Sequence, residues 1–355
     1  MKKLAILILL SYIIVNFPVC GFMTSPDYDW TIDDLIQRNP QDLVALVVDF
    51  GEKNGKGQNF TRLVLLDFYN PKQYKIVTDG EYSPVYPPRF SRDKSKILFG
   101  DGLRYIAGAG PQFVLYDIKN EKLQPIFNLS GNKVKPYEVV GINQLWNYDN
   151  SGFYYTHEPE LFFQDLFYYD FSEQKSRMVK GGIGYYCVSP VDIMGQYKLI
   201  VFSTNTEETG QQLGYYLMDF EGNYISRINN PNFEYIVRNQ IRKKGAWNLN
   251  WNDKAGLFVY AEDDSTIAGY KISVTNLDGS YHRSYTSGDY IDDHPVWGPE
   301  GKYIIFDRKN TFYWKIPEKE IEHKIYLIDV QTGEITEFIK PNDIPGAINI
   351  EYFDY

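Results

Sequence analysis

One pattern recurs six times along the chain and constrains its fold more than any other feature. Each copy is an apolar or aromatic run, then Asp or Asn, then an apolar residue, a turn and a second strand-like stretch. The Asp or Asn of each copy, called the marker residue, is Asp67, Asp117, Asp170, Asp219, Asn276 and Asp329. Successive markers lie roughly 50 residues apart, and a period of that size is the signature of a repeat architecture.

Each repeat has the sequence signals of four strands. The stretch after a marker is rich in turn residues, as in KNEK (119–122) and LDGS (277–280), which predicts a hairpin. A second element precedes the hairpin, as in PPRFSRDKSKILFG (87–100) and HPVWGPEGKYIIFD (294–307). It reads as a short strand, a polar turn and a strongly apolar strand. Four strands in about 50 residues are typical of one blade of a β-propeller.

The sequence therefore predicts an all-β fold, a six-bladed β-propeller with four antiparallel strands per blade. The aromatic content of 17% supports strands, because aromatic side chains fit pleated, half-buried surfaces. The first repeat lacks an innermost strand, and the stretch AINIEYFDY (347–355) is an unused strand pattern. We expect this C-terminal strand to close the first blade, since closure removes an open sheet edge.

Three regions are expected. Residues 1–21 form an export signal, with Lys2 and Lys3 before a nearly all-apolar stretch over 4–19. Cys20 follows this stretch and is a candidate for lipidation, with ordinary cleavage near residue 21 as the alternative. Residues 22–42 form an N-terminal segment with a small helix over 30–38, and residues 43–355 form the propeller.

The net charge of the chain limits the partners that it can bind. A net charge of −10 disfavours binding to nucleic acid and to anionic lipid, because both attract basic surfaces. A protein or peptide partner is favoured, a polysaccharide stays open, and a membrane is reached only through a lipid anchor on Cys20. The protein is expected to be exported, to the periplasm, to the outer envelope or to the medium.

The segment HPVWGPEGKYIIFD with KIYLIDVQTGEITEF (324–338) resembles the repeat of TolB-like β-propellers, which runs Pro-x-Trp-Ser-Pro-Asp-Gly into an apolar strand and a later strand ending Asp-x-x-x-Gly. Weaker copies surround Ser91, Trp146 and Ser189. The resemblance implies the propeller fold over residues 40–355, whereas these repeats serve many roles. Members with an N-terminal α/β domain differ from this chain, in which residues 22–42 are too short for one.

Two main functions follow as hypotheses. The first is a non-enzymatic binding propeller of the bacterial envelope that engages a protein or peptide, and the second is a carbohydrate-active propeller, a lyase or a glycoside hydrolase. A structural module in a larger complex is a third. The long connections between strands share one face, and long loops on a rigid scaffold often carry function, so this long-loop face is expected to bind.

Candidate binding residues are taken from that face and from the expected channel mouth; no residue is assigned a catalytic role. They are Tyr105, His157, Asp263, Asp292, Asp293, His294, Phe312, Tyr313 and Trp314. No cofactor is expected, although the acidic members would suit a divalent cation, which prefers several carboxylates. The marker residues are excluded as catalytic candidates, because side-chain bonds to the turn backbone explain them.

Overall fold

The computed structural model of the protein describes residues 31–53, 59–78, 80–84, 87–101, 112–126, 139–140, 144–158, 165–181, 188–195, 198–203, 214–233, 249–264, 269–287, 290–310 and 324–355. Most of these residues form β-strands. The strands fall into groups of four, and within each group neighbouring strands pair antiparallel.

Group 1 contains, in order of pairing, β25 (Asn349–Asp354), β1 (Leu43–Lys53), β2 (Asn59–Asp67) and β3 (Tyr74–Ile76). Group 2 contains β4 (Arg89–Phe90), β5 (Lys96–Asp101), β6 (Gln112–Asp117) and β7 (Lys122–Ile126). Group 3 contains β9 (Leu145–Trp146), β10 (Gly152–Glu158), β11 (Asp165–Asp170) and β12 (Lys175–Lys180), and β8 (Val139–Val140) also pairs with β10.

Group 4 contains β13 (Val188–Met194), β14 (Lys198–Ser203), β15 (Gly214–Met218) and β16 (Tyr224–Arg227). Group 5 contains β17 (Leu249–Asn252), β18 (Leu257–Asp264), β19 (Gly269–Asn276) and β20 (His282–Ser284). Group 6 contains β21 (Tyr290–Trp297), β22 (Tyr303–Asn310), β23 (Lys324–Asp329) and β24 (Ile335–Ile339). One parallel bridge, Tyr270 to Ile291, joins groups 5 and 6 into a single sheet.

The C-terminal strand pairs with the first strand of the chain. In β25 and β1, Asp354 lies opposite Ala45 and Asn349 lies opposite Asp49. This is the pairing that the sequence predicts for residues 347–355. All six residues 43–48 of β1 are fully buried, the pattern of a strand covered on both faces. Group 1 therefore has packing neighbours on both of its faces.

The hydrophobic core is divided among the groups. Each of six clusters of buried side chains combines residues of two groups that follow one another. Leu98 of group 2 clusters with Phe153 of group 3, for example. One cluster joins the ends of the chain, with Val44 and Phe353 of group 1 beside Ile305 of group 6. A four-stranded group alone would expose both apolar faces, so each depends on its neighbours.

The marker residues stabilise the hairpin turns, as the sequence predicts. A side-chain oxygen of each marker accepts a backbone N–H from the turn that follows it. Asp219, for instance, accepts from the backbone N–H of Asn223 at 2.7 Å, and Asp329 accepts from that of Thr332 at 2.7 Å. Their role in the described structure is to close turns.

A short helix, α1 (Ile32–Arg38), precedes β1, close to the expected 30–38. Thr31 and Asp34 form a capping box at its N-terminus. Leu35 and Ile36 are buried in the cluster between groups 1 and 2. The helix therefore covers the outside of that junction. In the part of the chain that the structure describes, no helix is long and apolar enough to span a bilayer.

Candidate functional site

A cavity of about 300 Å³ lies where the first strands of all six groups meet. These leading strands are β25, β4, β9, β13, β17 and β21. One lining residue from each group is, in chain order, Arg89, Trp146, Asp192, Trp251, His294 and Asp354. The lining residues sit toward the C-terminal ends of the leading strands and in the β4–β5 turn. We call this space the central cavity.

A repeated hydrogen bond joins the leading strands around the cavity. Asp354 Oδ2 accepts from the backbone N–H of Phe90 at 2.9 Å, linking group 1 to group 2. In the same way, Asp192 Oδ2 accepts from Trp251 N at 2.7 Å, linking group 4 to group 5. Asn250 Oδ1 accepts from Trp297 N at 3.0 Å, linking group 5 to group 6. Each acceptor thus satisfies a backbone donor that the next strand leaves unpaired.

Tryptophans add a second link in the reverse direction. The indole N–H of Trp146 donates to the backbone carbonyl of Arg89 at 2.8 Å, so group 3 is tied back to group 2. The indole of Trp297 donates to the carbonyl of Asn250 at 3.2 Å. The aromatic residues of the repeat therefore hold neighbouring sheets in register, and this explains why the pattern contains them.

Asp192 is buried beside the cationic side chain of Arg92. Besides Trp251 N, it accepts from Asn250 Nδ2 at 2.9 Å and from Ile193 N at 2.7 Å. Burial raises its pKa, although the charge of Arg92 and these backbone donors act to lower it. The Arg92 guanidinium lies 3.6 Å from Asp192 Oδ1, at the edge of ion-pair range.

Arg92 reaches from group 2 to group 4. Its Nη2 donates to the backbone carbonyl of Ile193 at 3.3 Å, and its own backbone N–H donates to Asn150 Oδ1 of group 3 at 2.8 Å. Arg89 also lines the cavity, and its Nη1 donates to Asp354 Oδ1 at 3.1 Å. The side chains of Arg92 and Arg89 are 35% and 31% exposed, respectively, so both are only partly covered by the protein.

Lys94 joins the two ends of the described chain. Its ammonium group donates to the backbone carbonyls of Gln41 and Leu43, each at 3.2 Å. It also lies over the rings of Phe90 and Tyr355. Burial lowers the pKa of Lys94 to about 7, against the opposing charges of Asp354 and Asp42. The amine is therefore partly neutral at physiological pH.

His294 is the one sequence-predicted candidate residue among the lining residues. Its Nδ1 lies 3.0 Å from Asp307 Oδ1, and Lys309 Nζ lies 3.0 Å from Asp307 Oδ2. Burial alone would lower the pKa of His294, but the charges of Asp293 and Asp307 raise it to about 9. The imidazole is therefore protonated at neutral pH, and Nδ1 donates to Asp307.

Asp292 is committed to an ion pair and does not line the cavity. Arg308 donates to both carboxylate oxygens, at 2.7 Å through Nε and at 2.9 Å through Nη2, and Asp292 is 1% exposed. Both Asp292 and Asp293 were expected just before a leading strand, but they lie inside β21. The strand is longer because they continue the ladder opposite Arg308 and Asp307.

The other predicted residues are spread over the structure. His157 and Asp263 were expected in loops, but lie in β10 and β18, because these strands continue opposite Asp165 and Tyr270. The described residues contain no group of three or more His, Cys, Asp or Glu side chains that could hold a metal ion. Outside the described residues lie Tyr105, Phe312, Tyr313, Trp314 and Cys20, and the long-loop face stays a prediction.

The sequence analysis missed most of the cavity's polar residues. They are Arg89, Arg92, Lys94, Gln144, Asp192, Asn250 and Asp354. A signal was present, since Asn250, like Arg89, directly precedes the aromatic residue of its leading strand. Aligning the leading strands by that aromatic position places Arg89 and Asn250 at the same point of their repeats.

Comparison with known proteins finds similarity in structure only. No family model matches the sequence, and no curated protein matches it. TolB from Acinetobacter baumannii superposes with a TM-score of 0.57 at 13% identity, covering 83% of this chain and 63% of that one. The chain therefore spans less than two thirds of that TolB.

Two further structures agree on the architecture. A TolB protein from Agrobacterium tumefaciens superposes with a TM-score of 0.56 at 10% identity, over 79% of this chain and 88% of that one. The β-propeller domain of the Trilobed protease from Pyrococcus furiosus gives a TM-score of 0.50 at 9% identity, over 84% and 94%. At these identities the likeness establishes the fold alone. The chain therefore has a TolB-like β-propeller fold.

Proposed function

We propose that the protein is an exported, non-enzymatic binding propeller that engages a protein or peptide partner at its central cavity. In this proposal the six groups are six blades of one closed ring. The pairing of β25 with β1 and the cluster that joins Val44 to Ile305 support the closure.

The observation that carries the binding function is the composition of the central cavity. Every group contributes a lining residue, and two arginines with partly exposed side chains, Arg89 and Arg92, line the cavity together with Trp251. Arginine and tryptophan are the residue types that most often supply binding energy at protein interfaces. A recessed, charged and aromatic surface of this kind suits an inserted segment of a partner.

The ionisable groups around the cavity favour binding over catalysis. Asp192 and Asp354 accept backbone N–H groups of the next blade, and His294 donates to Asp307. A general base must be free to take a proton from substrate, whereas the protonated His294 has no vacant lone pair. The two carboxylates are thus already used to join neighbouring blades, and His294 is committed to Asp307 within its own sheet.

Export is supported by the sequence of residues 1–21, with Lys2 and Lys3 ahead of an apolar stretch. The mass of the mature protein purified from its native cell tests this. Cleavage near residue 21 without added mass supports simple secretion, and a diacylglyceryl mass on Cys20 supports a lipid anchor in the envelope.

Site-specific photocrosslinking tests the binding function. Tyr148, 37% exposed, lies in the β9–β10 turn whose Asn150 accepts from the backbone N–H of Arg92, and it is replaced by p-benzoylphenylalanine. Ile225, 50% exposed on the outer strand β16, is the matched control. We expect one defined protein to crosslink at position 148 in native envelope and not at position 225. Equal labelling at both positions, or none at 148, would contradict the proposal.

A further inference from the structure

The charge of the residues that line the central cavity is opposite in sign to the net charge of the whole protein. The whole chain has 46 Asp and Glu against 36 Lys and Arg. Among the residues that line the cavity, the cationic Arg89, Arg92 and His294, together with the partly neutral Lys94, outnumber the two acids Asp192 and Asp354. A cationic recess in an acidic protein focuses its field on an anionic ligand.

The two arginines retain most of their hydrogen-bonding capacity. A guanidinium group has five N–H donors in a planar fork. In the described structure, Arg89 donates once, through Nη1 to Asp354, and Arg92 donates once from its side chain, through Nη2 to the carbonyl of Ile193. The remaining N–H groups suit the two oxygens of a carboxylate, which this fork binds bidentately.

Gln144 adds a buried acceptor to the same cavity. Its Nε2 donates to the carbonyl of Pro87 at 2.7 Å, which fixes the orientation of the amide. Its Oε1 has no hydrogen-bond partner in the described residues, although the residue is only 5% exposed and lines the cavity. A buried acceptor without a partner is costly, so an occupant that supplies an N–H group would satisfy it.

From these features we infer that the central cavity is a binding site for an acidic peptide segment: a carboxylate side chain binds Arg89 and Arg92, and a backbone N–H of the same segment donates to Gln144 Oε1. The inference rests on the proposed binding function and names its ligand. A peptide supplies both the carboxylate and the N–H donor, whereas inorganic phosphate supplies only the anion. A volume of about 300 Å³ admits one side chain with its adjoining backbone.

Calorimetric titration of the full mature protein tests the site. The probes are a capped peptide in which Glu alternates with Ser, the same peptide with Gln for Glu, a galacturonate oligomer and inorganic phosphate. We expect the Glu peptide to bind at least ~10-fold more tightly than the Gln peptide and than either other anion, because only it satisfies the fork and the amide together. This comparison needs no variant.

Arg92→Gln then locates the site, and Arg177→Gln on the outer strand β12 is the matched control for the loss of one guanidinium group. Arg92→Gln should weaken the Glu peptide about tenfold, and Arg177→Gln should leave its affinity unchanged. Equal affinity for the Glu and Gln peptides, or tighter binding of the galacturonate oligomer, would overturn the inference. An unchanged affinity in Arg92→Gln would do the same.

The two proposals fail in different ways. If a partner crosslinks at position 148 but the Glu and Gln peptides bind alike, the binding function stands and the acidic ligand is wrong. If the Glu peptide binds through Arg92 but no protein crosslinks, the carboxylate site stands and the protein-binding function is wrong.

Discussion

The ammonium nitrogen of Lys94 lies 3.0 Å from the centroid of the Tyr355 ring, and the hydroxyl of Tyr355 donates to the backbone carbonyl of Gln41 at 2.7 Å. Lys94 donates to the same carbonyl. One lysine of group 2 therefore holds the segment that enters β1 and the residue that follows β25. Lys94 therefore connects group 2 to both β1 and β25 of group 1.

The burial of Lys94 gives a stability that rises with pH. The folded pKa of about 7 is below the ordinary value of 10.5, so the unfolded chain binds more protons between these values. We expect the wild type to gain stability relative to Lys94→Met as pH rises from 7 to 9, by up to ~1.4 kcal/mol per pH unit. Urea unfolding at several pH values measures this.

The matched control for Lys94 is Lys122→Met, an exposed lysine of β7. Its unfolding free energy should follow that of the wild type at every pH. If the difference between wild type and Lys94→Met stays constant from pH 7 to 9, Lys94 is not titrating in the folded state.

His294 should show the opposite slope. Its folded pKa of about 9 is above the ordinary 6.5, so its ion pair with Asp307 stabilises the fold fully below pH 6.5 and is lost as pH rises through 9. We expect His294→Gln to cost about 1–2 kcal/mol at pH 6 and much less at pH 9.5. The expected loss of stability is modest because a third of the His294 side chain is exposed and water screens its ion pair with Asp307.

Thermal unfolding of wild type, His294→Gln and Asp307→Asn across this pH range measures the slope. Asp307→Asn removes one of the two partner charges, so it should reduce the pH dependence, whereas Asp293 preserves part of it and His294→Gln removes it fully. Wild-type and His294→Gln curves that run parallel from pH 6 to 9.5 would show that folding does not shift the pKa of the imidazole.

Two tryptophans with different hydrogen-bond partners test the links between groups. Trp146 donates across groups to the carbonyl of Arg89, whereas Trp251 donates to Asp253, two residues away in its own turn. Phenylalanine keeps an aromatic ring and removes the donor. We expect Trp146→Phe to cost about 1–3 kcal/mol, because a buried carbonyl loses its partner, and Trp251→Phe to cost less than about 1 kcal/mol.

Chemical denaturation of the two Phe variants measures the free energy that each substitution costs. The indole absorbance of each variant checks that one tryptophan has been replaced. An equal cost for both substitutions would mean that packing of the ring, and not the bond between groups, stabilises this position.

The C-terminal strand should be essential to the fold. Phe353 is 6% exposed and belongs to the cluster that joins groups 1 and 6. We expect Phe353→Ala to lower the free energy of unfolding by about 3–5 kcal/mol, and Glu351→Ala, at an exposed position of the same strand, to change it by less than about 0.5 kcal/mol. Equilibrium unfolding of both variants measures the difference, and similar values would argue against a structural role for β25.

The sequence predicts the periodic part of this structure. The marker residues, the four-stranded groups and the pairing of β25 with β1 are encoded by local patterns of apolar and turn residues. Strand ends were less predictable, because Asp292 and Asp293 look like loop residues until their ladder partners in β22 are known. Polar composition alone does not end a strand that has a partner.

The cavity could not be predicted because its polar contacts join distant parts of the chain. Arg89 meets Asp354 across 265 residues, and Arg92 meets the carbonyl of Ile193 across 101. No single repeat contains both partners of either contact. The periodicity gives each residue a place within its own repeat, but the contacts across the cavity depend on how separate repeats face one another.

The pairing of β25 with β1 also has a consequence for biosynthesis. Tyr355 and Gln41 are bonded although 314 residues separate them in the chain. While the chain is being made, β1 has a free edge until β25 has been synthesised. Group 1 is thus completed only after the strands of the other five groups have been made, so a nascent chain remains prone to pairing with other strands until β25 is in place.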